Sequence, residues 1–223
     1  MTKVYIIRHC EAEGNLNRIF QGHTNGNISP NGQLQLDALS KRFEDINIDF
    51  IYSSPLQRTL LTAKAACNDR LEIKTDSDLI EINGGKWEGE LFASFPEKFP
   101  GHARLWNLSP HLFTAPDGES MESVRKRMHD VFQKIVKNHD GQTGIIVSHG
   151  CAIRNLLCVL KGYPFERLKD IRWCDNTAVT LCESDGETHN IIFESDLSHA
   201  EHLSTLKKQK WWTEENRKKL YFE

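Results

Sequence analysis

Four side chains in this sequence are of the types needed to handle a doubly charged tetrahedral anion: Arg8, His9, Arg58 and His149. Arginine offers a planar fork of donors that matches phosphoryl oxygens. At about 4 Å and an effective dielectric near 20, a unit charge pair is worth roughly 4 kcal/mol before desolvation. Nearby positive charge also lowers an imidazole pKa from its usual value of about 6.5, keeping the ring neutral and nucleophilic near neutral pH. Such a ring can attack phosphorus in line and form a phosphohistidine, dividing one displacement into two easier ones. A second imidazole, when cationic, stabilises charge on the transferring group. A carboxylic acid must protonate the leaving alkoxide and later, as carboxylate, activate water. Protein cations carry the charge in this scheme, so it calls for no magnesium.

These residues gain weight from where the chain places them. Val4-Tyr5-Ile6-Ile7 suits a strand buried on both faces, and it stops at Arg8-His9 before a short polar loop containing Gly14. Phe50-Ile51-Tyr52-Ser53 is a second such run. Ser54-Pro55-Leu56-Gln57 then reads as an N-cap, a first-turn proline and a capping box, which puts Arg58 in the first turn of a helix. The third run, from Gly144, is broken at Ser148-His149-Gly150, and Ile153, Leu156 and Leu160 follow with helical spacing. Parallel βαβ geometry gathers strand ends along one edge, where open α/β sheets bind ligands.

At 223 residues the chain has room for one substantial α/β domain spanning 1–223. A net charge of −3 gives no general reason to expect nucleic acid or an anionic membrane as partner, so any anion site must be a local concentration of positive charge. No apolar run approaches the roughly 18 residues of a membrane span and no signal peptide is read, so a cytoplasmic protein is expected. The six cysteines show neither CxxC nor zinc-ligand spacing, which suits reduced thiols and supports no metal site. Cys10 and Cys151 each lie within two residues of a site histidine. They read as small neighbours, with sensitivity to thiol reagents left open.

The remaining segments are read as supports. Asn15 to Ile28 forms a polar loop with Gln21 and Gly22, suited to closing over an anion. Ser29-Pro30 starts a helix with Leu36, Leu39 and Phe43 on its inner face, and Leu56, Leu60 and Ala63 are the buried stripe of the next. Leu71–Ile73 is a short strand, and Asp78 to Gly89 a shaped loop with two carboxylates besides Asp78, Glu81 and Glu88. About 92–117 is an inserted lid-like segment with short helices. Met121, Val124, Met128, Val131 and Ile135 line one face of a longer helix, with Arg125, Lys126 and Arg127 mostly on its solvated side. Thr177–Leu181 and Asn190–Phe193 pair as an edge hairpin around Ser184-Asp185-Gly186. A tail from about 198, carrying Lys207, Lys208, Lys210, Trp211 and Trp212, reads as docked with its lysines solvated.

Arg8-His9-Cys10-Glu11, Asn15, Gln21-Gly22, Ser53-Ser54-Pro55-Leu56-Gln57-Arg58 with Thr62-Ala63, and Ser148-His149-Gly150 together resemble the histidine phosphatase superfamily. That is the family of cofactor-dependent phosphoglycerate mutase and related phosphatases. The resemblance runs in order from Val4 to about Leu181. It implies a three-layer α/β/α sandwich with a mostly parallel central sheet, of the phosphoglycerate mutase type. It further implies that His9 is the nucleophile, that Arg8, Arg58 and His149 complete a phosphate pocket with Gly150 beside them, and that Asn15, Gln21 and Gly22 are substrate-loop positions. Glu81, ahead of Gly85-Lys86-Trp87-Glu88-Gly89, matches the proton donor, and Glu88 a structural position. One departure is Cys10, where the family usually has glycine. If that backbone requires a positive φ, cysteine costs roughly 1–2 kcal/mol.

Three functions stay in view. The first is a cofactor-free phosphatase acting on a small phosphorylated metabolite, with inorganic phosphate as product. The second is a 2,3-bisphosphoglycerate-dependent phosphoglycerate mutase. The third is a catalytically weak phospholigand-binding module. By resemblance, mutases carry a longer arginine-bearing insertion. Here the lid-like segment has only Arg104, and Gly118-Glu119-Ser120 follows in the phosphatase manner. The oligomeric state is open.

Overall fold

A computed structural model describes residues 1–209 of the chain. In order come β1 (Thr2–Arg8), α1 (Glu13–Asn17), α2 (Pro30–Arg42), β2 (Phe50–Ser53), α3 (Gln57–Cys67), β3 (Lys74–Thr75), α4 (Phe95–Lys98), α5 (Pro100–Leu108), α6 (Met121–Asn138), β4 (Thr143–Ser148), α7 (Gly150–Leu160), β5 (Val179–Ser184) and β6 (His189–Asp196). The strands make one sheet in the order β3-β2-β4-β1-β5-β6. β1, β2, β3 and β4 run parallel, whereas β5 pairs antiparallel with both β1 and β6.

Period-two alternation divides the core. Val4, Ile6, Phe50 and Ile146 face the side covered by α6 and α7, with Met121, Val124, Met128, Val131 and Ile135 against them. Ile7, Ile51, Ile145 and Val147 face the other side, against Leu39 and Phe43 of the α2 segment and Ala63, Ala66 and Cys67 of α3. Helices on both faces of a central sheet give the three-layer α/β/α sandwich. The register brings Arg8 level with Ser148 and Ser53 level with Val147, so β1, β2 and β4 end together.

Several expectations shift. The loop after β1 is not wholly irregular, because Glu13–Asn17 makes one short helix whose Ala12 N–H is capped by the Asn15 side chain. Helix α3 starts at Gln57 with Leu56 as its N-cap, and the Ser54 hydroxyl, 2.8 Å from His149 Nε2, accepts the Leu56 N–H only at 3.5 Å. Its buried face is Arg58, Thr59, Thr62, Ala63, Ala66 and Cys67, with Leu60 only half-buried. The third strand falls at Lys74–Thr75, just after Leu71–Ile73, and the hairpin strands extend to Ser184 and Asp196. Ser29 caps α2 by accepting from the Gly32 N–H, as the Ser-Pro start predicts. Ser204, Thr205 and Leu206 are buried while Lys207 and Lys208 are exposed. Lys210, Trp211 and Trp212 lie outside the described residues.

The segment between about 92 and 117 contains α4, α5 and two 3-10 turns. Trp87 anchors it: the indole is fully buried, stacks on Phe95 at 4.0 Å, and meets Trp106 and Phe113 at 5.4 and 4.7 Å. All six cysteines are free and buried. Among the described residues, no helix is long and apolar enough to cross a membrane.

Candidate active site

The ends of β1, β2 and β4 open onto a cavity walled by Arg8, His9, Asn15, Gln21, Arg58 and Glu81, with Gly150 at the start of α7. His149 and Gly22 stand behind this wall. His149 is fully buried, with its ring centroid 5.1 Å from that of His9. A Cβ on Gly22 would lie 2.2 Å from the Ile82 carbonyl oxygen, so only glycine lets the Gln21 loop pack against the Glu81 loop.

His9 directly follows β1 and is almost entirely buried. Its Nδ1 lies 2.6 Å from the Cys10 carbonyl, which only accepts, so Nδ1 carries the proton and Nε2 keeps its lone pair. Burial, then the charges of Arg58 and Arg8, hold the His9 pKa well below the usual histidine value, against an opposing pull from the Cys10 carbonyl. Composition and spacing pointed to the arginines as the cause; desolvation is the larger one. His149 is depressed too, by burial first and then by Arg58 and His9. Its Nε2 lies 2.8 Å from the Ser54 hydroxyl.

Both arginines are held by carbonyls. Arg8 Nη1 donates to Cys174 at 2.7 Å, while Arg58 Nη1 and Nη2 donate to Thr24 and Gly22, each at 2.8 Å. Arg8 Nε, Arg58 Nε and His149 Nδ1 are buried with no hydrogen-bond partner in the protein. An unpaired buried donor costs about 1–3 kcal/mol, so the two guanidinium Nε–H groups on the cavity wall suit an anion with several acceptor oxygens.

Glu81 reaches the site from the loop between β3 and α4. Its Oε1 accepts from the N–H groups of Ile82 and Ala152 and its Oε2 from that of Cys151, at 2.9–3.0 Å. Two of these donors belong to the first turn of α7, whose N–H groups have no helical partner. Glu88 is placed differently. It gathers N–H groups of Gly22, His23, Thr24 and Gly84, tying two loops together. Half-burial pushes its pKa up, but the Thr24 hydroxyl and those N–H groups outweigh this and hold it below the usual glutamate range.

Cys10 replaces the expected glycine without strain, because its φ is not among the positive ones. Its N–H donates to the Thr62 hydroxyl at 2.9 Å, and burial pushes its thiol up to about 11. Burial likewise raises the Cys151 thiol well above its usual value.

Arg127, assigned to the solvated side of its helix, belongs here instead. Its Nε and Nη2 pair with both oxygens of Glu119 at 2.8 and 3.0 Å, and it donates to the carbonyls of Asp78, Ile80 and Glu81. A charged residue on an amphipathic helix gives no sequence sign of such a clamp. Asn176 was also missed, although it sits in a polar turn just before a strand. Its amide donates to the His9 carbonyl at 2.9 Å. Trp106 and Trp173, stacked at 5.8 Å, close the outer wall.

Comparison with known proteins supplies a family. A model of the histidine phosphatase superfamily (branch 1) matches residues 4–196. Phosphoserine phosphatase 1 of Hydrogenobacter thermophilus is 33% identical over 199 residues, covering 89% of this chain and 93% of that protein. A probable phosphoglycerate mutase, GpmB, of Salmonella arizonae is 31% identical over 206 residues, covering 89% of this chain and 95% of that protein. Among solved structures, YhfR of Bacillus stearothermophilus superposes with a TM-score of 0.85 at 32% identity, covering 89% of this chain and 99% of that one.

Proposed function

This chain belongs to branch 1 of the histidine phosphatase superfamily, and on that premise we propose that it is a metal-independent phosphatase of small phosphomonoesters. The observation that carries the reading is His9, a buried neutral imidazole with its Nδ1 proton committed to a carbonyl, set between two arginines at a cavity wall. Nε2 attacks phosphorus and forms a P–N bond as the ester P–O bond breaks. The leaving oxygen takes a proton from the Glu81 carboxyl group. Water then attacks the phosphohistidine, giving its proton to the Glu81 carboxylate. The P–N bond breaks and inorganic phosphate leaves. Arg8 and Arg58 stabilise the equatorial oxygens, with His149 behind His9, and Asn15, Gln21 and Gly22 shape the mouth.

The mutase reading has a relative in its favour. A mutase must also hold the carboxylate of a returning phosphoglycerate. The cations on the cavity wall are Arg8 and Arg58, and the outer wall is Ile19, Phe20, Ile82, Phe92, Trp106 and Trp173. That lining favours water as the acceptor. A relative is named a phosphoserine phosphatase, which places phosphoserine in the panel beside 3-phosphoglycerate and aryl phosphates. The absence of a membrane-spanning helix among the described residues suits a cytoplasmic enzyme.

The test is phosphate release from that panel in EDTA, with His9→Ala and Glu81→Gln. Release should vanish in the first variant. In the second it should fall by about 100- to 10,000-fold while phosphate binding persists. Undiminished turnover in either variant would overturn the assigned roles. Isomerisation of phosphoglycerate on adding its bisphosphate, without net hydrolysis, would establish the mutase.

A further inference from the structure

Thr205 is nearly two hundred residues from His9 in sequence, yet it joins the two loops that hold it. Its hydroxyl donates to Glu11 Oε2 at 2.6 Å, and its N–H donates to Asp175 Oδ1 at 3.1 Å. On each side its neighbours add to the second contact: the Ser204 hydroxyl donates to Asp175 Oδ2, and the Leu206 N–H reaches the same carboxylate at 3.3 Å. Glu11 and Thr205 are both buried. The Glu11 carboxylate rests on neutral donors, Ser29, Asn31 and Thr205.

The two carboxylates sit at the roots of the His9 supports. Glu11 directly follows Cys10, whose carbonyl fixes the His9 Nδ1 proton. Asp175 accepts the Asn176 N–H at 2.8 Å, and the Asn176 side chain in turn holds the His9 carbonyl. Next comes Thr177, whose N–H donates to the Arg8 carbonyl at 3.1 Å. Thr177 has a φ of 58°, a left-handed conformation that a β-branched residue adopts only when its surroundings impose it. None of Glu11, Asp175 or Thr205 touches the cavity wall.

We propose that Thr205 is a positioning residue for His9. By binding one loop through its hydroxyl and the other through its backbone, it fixes them relative to each other and so sets the orientation of the imidazole. The link to turnover rests on the reading of His9 as nucleophile; the link to ring orientation does not.

The experiment compares the full chain with Thr205→Val, which keeps shape and loses the hydroxyl, and with Thr205→Ser, which restores it. With p-nitrophenyl phosphate as probe, kcat of Thr205→Val should fall about tenfold, as expected when a reacting group is displaced by a fraction of an ångström. KM should stay within about twofold, and Thr205→Ser should recover kcat. The His9 ¹⁵N ring resonances should shift in the valine variant and return in the serine variant, whether or not the wild type hydrolyses the probe. Wild-type kcat and unshifted His9 resonances in folded Thr205→Val would overturn the proposal and leave Thr205 a mere anchor. If that variant does not fold, Ser204→Ala serves: a kcat loss of about threefold with a shifted His9 supports the proposal, and no change in either overturns it. Failure of the phosphatase reading would instead show as wild-type protein without His9-dependent turnover.

Discussion

Arg127→Met removes every donor of the clamp behind Glu81 while keeping much of the side chain's apolar length. In the native protein this guanidinium pairs with Glu119 through two bonds and reaches three carbonyls, at 2.8 Å to Asp78, 2.6 Å to Ile80 and 3.1 Å to Glu81. The side chains of the pair are 15% and 17% exposed. Breaking a fully buried pair by removing one partner costs about 3–5 kcal/mol, and residual solvent access lowers this to roughly 2–3 kcal/mol. The Glu81 carbonyl also loses its tether. Displacement of a catalytic group on the ångström scale lowers turnover by up to about 100-fold, so kcat should drop by roughly 10- to 100-fold, or about 1.4–2.7 kcal/mol. KM should change less, because Arg8 and Arg58 are untouched. Urea unfolding and steady-state kinetics on the same preparation separate the two effects. Adding Glu119→Gln removes the stranded carboxylate and should recover about 1–2 kcal/mol of stability without recovering kcat. Wild-type kcat in the single variant, or kcat that returns together with stability in the double variant, would refute the claim that Arg127 places Glu81.

Two further outcomes test the electrostatics. The folded His9 pKa is depressed, so between it and about 6.5 the unfolded chain binds a proton that the native protein does not. Stability is therefore complete above about pH 6.5, falls as the pH drops toward the folded pKa, and levels off below it. His9→Ala should lose less stability than wild type between pH 7.5 and 5.5. In an NMR titration His9 should still be neutral at pH 6.5, and a midpoint at or above that value would contradict the burial argument. Cys10 should resist iodoacetamide at pH 7.5 until the protein is unfolded, given its burial and a thiol pushed up to about 11. Native-state alkylation at the rate of a free thiol would show that the His9 loop opens.

Much of this fold was legible because its strands announce themselves. The runs ending at Arg8, Ser53 and Ser148 are dense in β-branched and aromatic residues, and each breaks at a polar residue. That pattern located the site edge, and with it Arg8, His9, Arg58 and His149. Glu81 was found by family resemblance, since a carboxylate in an irregular loop has no periodicity to betray it. Boundaries failed where side chains had other work. The Ser54 hydroxyl lies 2.8 Å from His149 Nε2 and accepts the Leu56 N–H only at 3.5 Å. Arg127 was misplaced because a helical wheel separates charged from apolar faces but does not know that a neighbouring loop covers part of the charged face. The main cause of the lowered His9 pKa, burial, is likewise a property of the assembled core and not of any short stretch.

The place of β1 in the sheet has a consequence for how the protein comes into being. Its hydrogen-bonding neighbours are β4 and β5, with registers reaching Ser148 on one side and Val179–Ser184 on the other. Arg8 and His9, the earliest chemistry-bearing residues in chain order, are braced by backbone groups of Ser148 and Thr177. At ribosomal rates of about 5–20 residues per second, roughly 10–35 s pass between the synthesis of β1 and that of β5. Through that interval the strand cannot be paired on both edges. Such long-range closure slows folding, because the loop entropy is lost before the contacts repay it. His9 is thus among the first residues made and among the last to gain its full set of backbone supports. A nascent fragment ending before β5 leaves one edge of β1 without its partner strand.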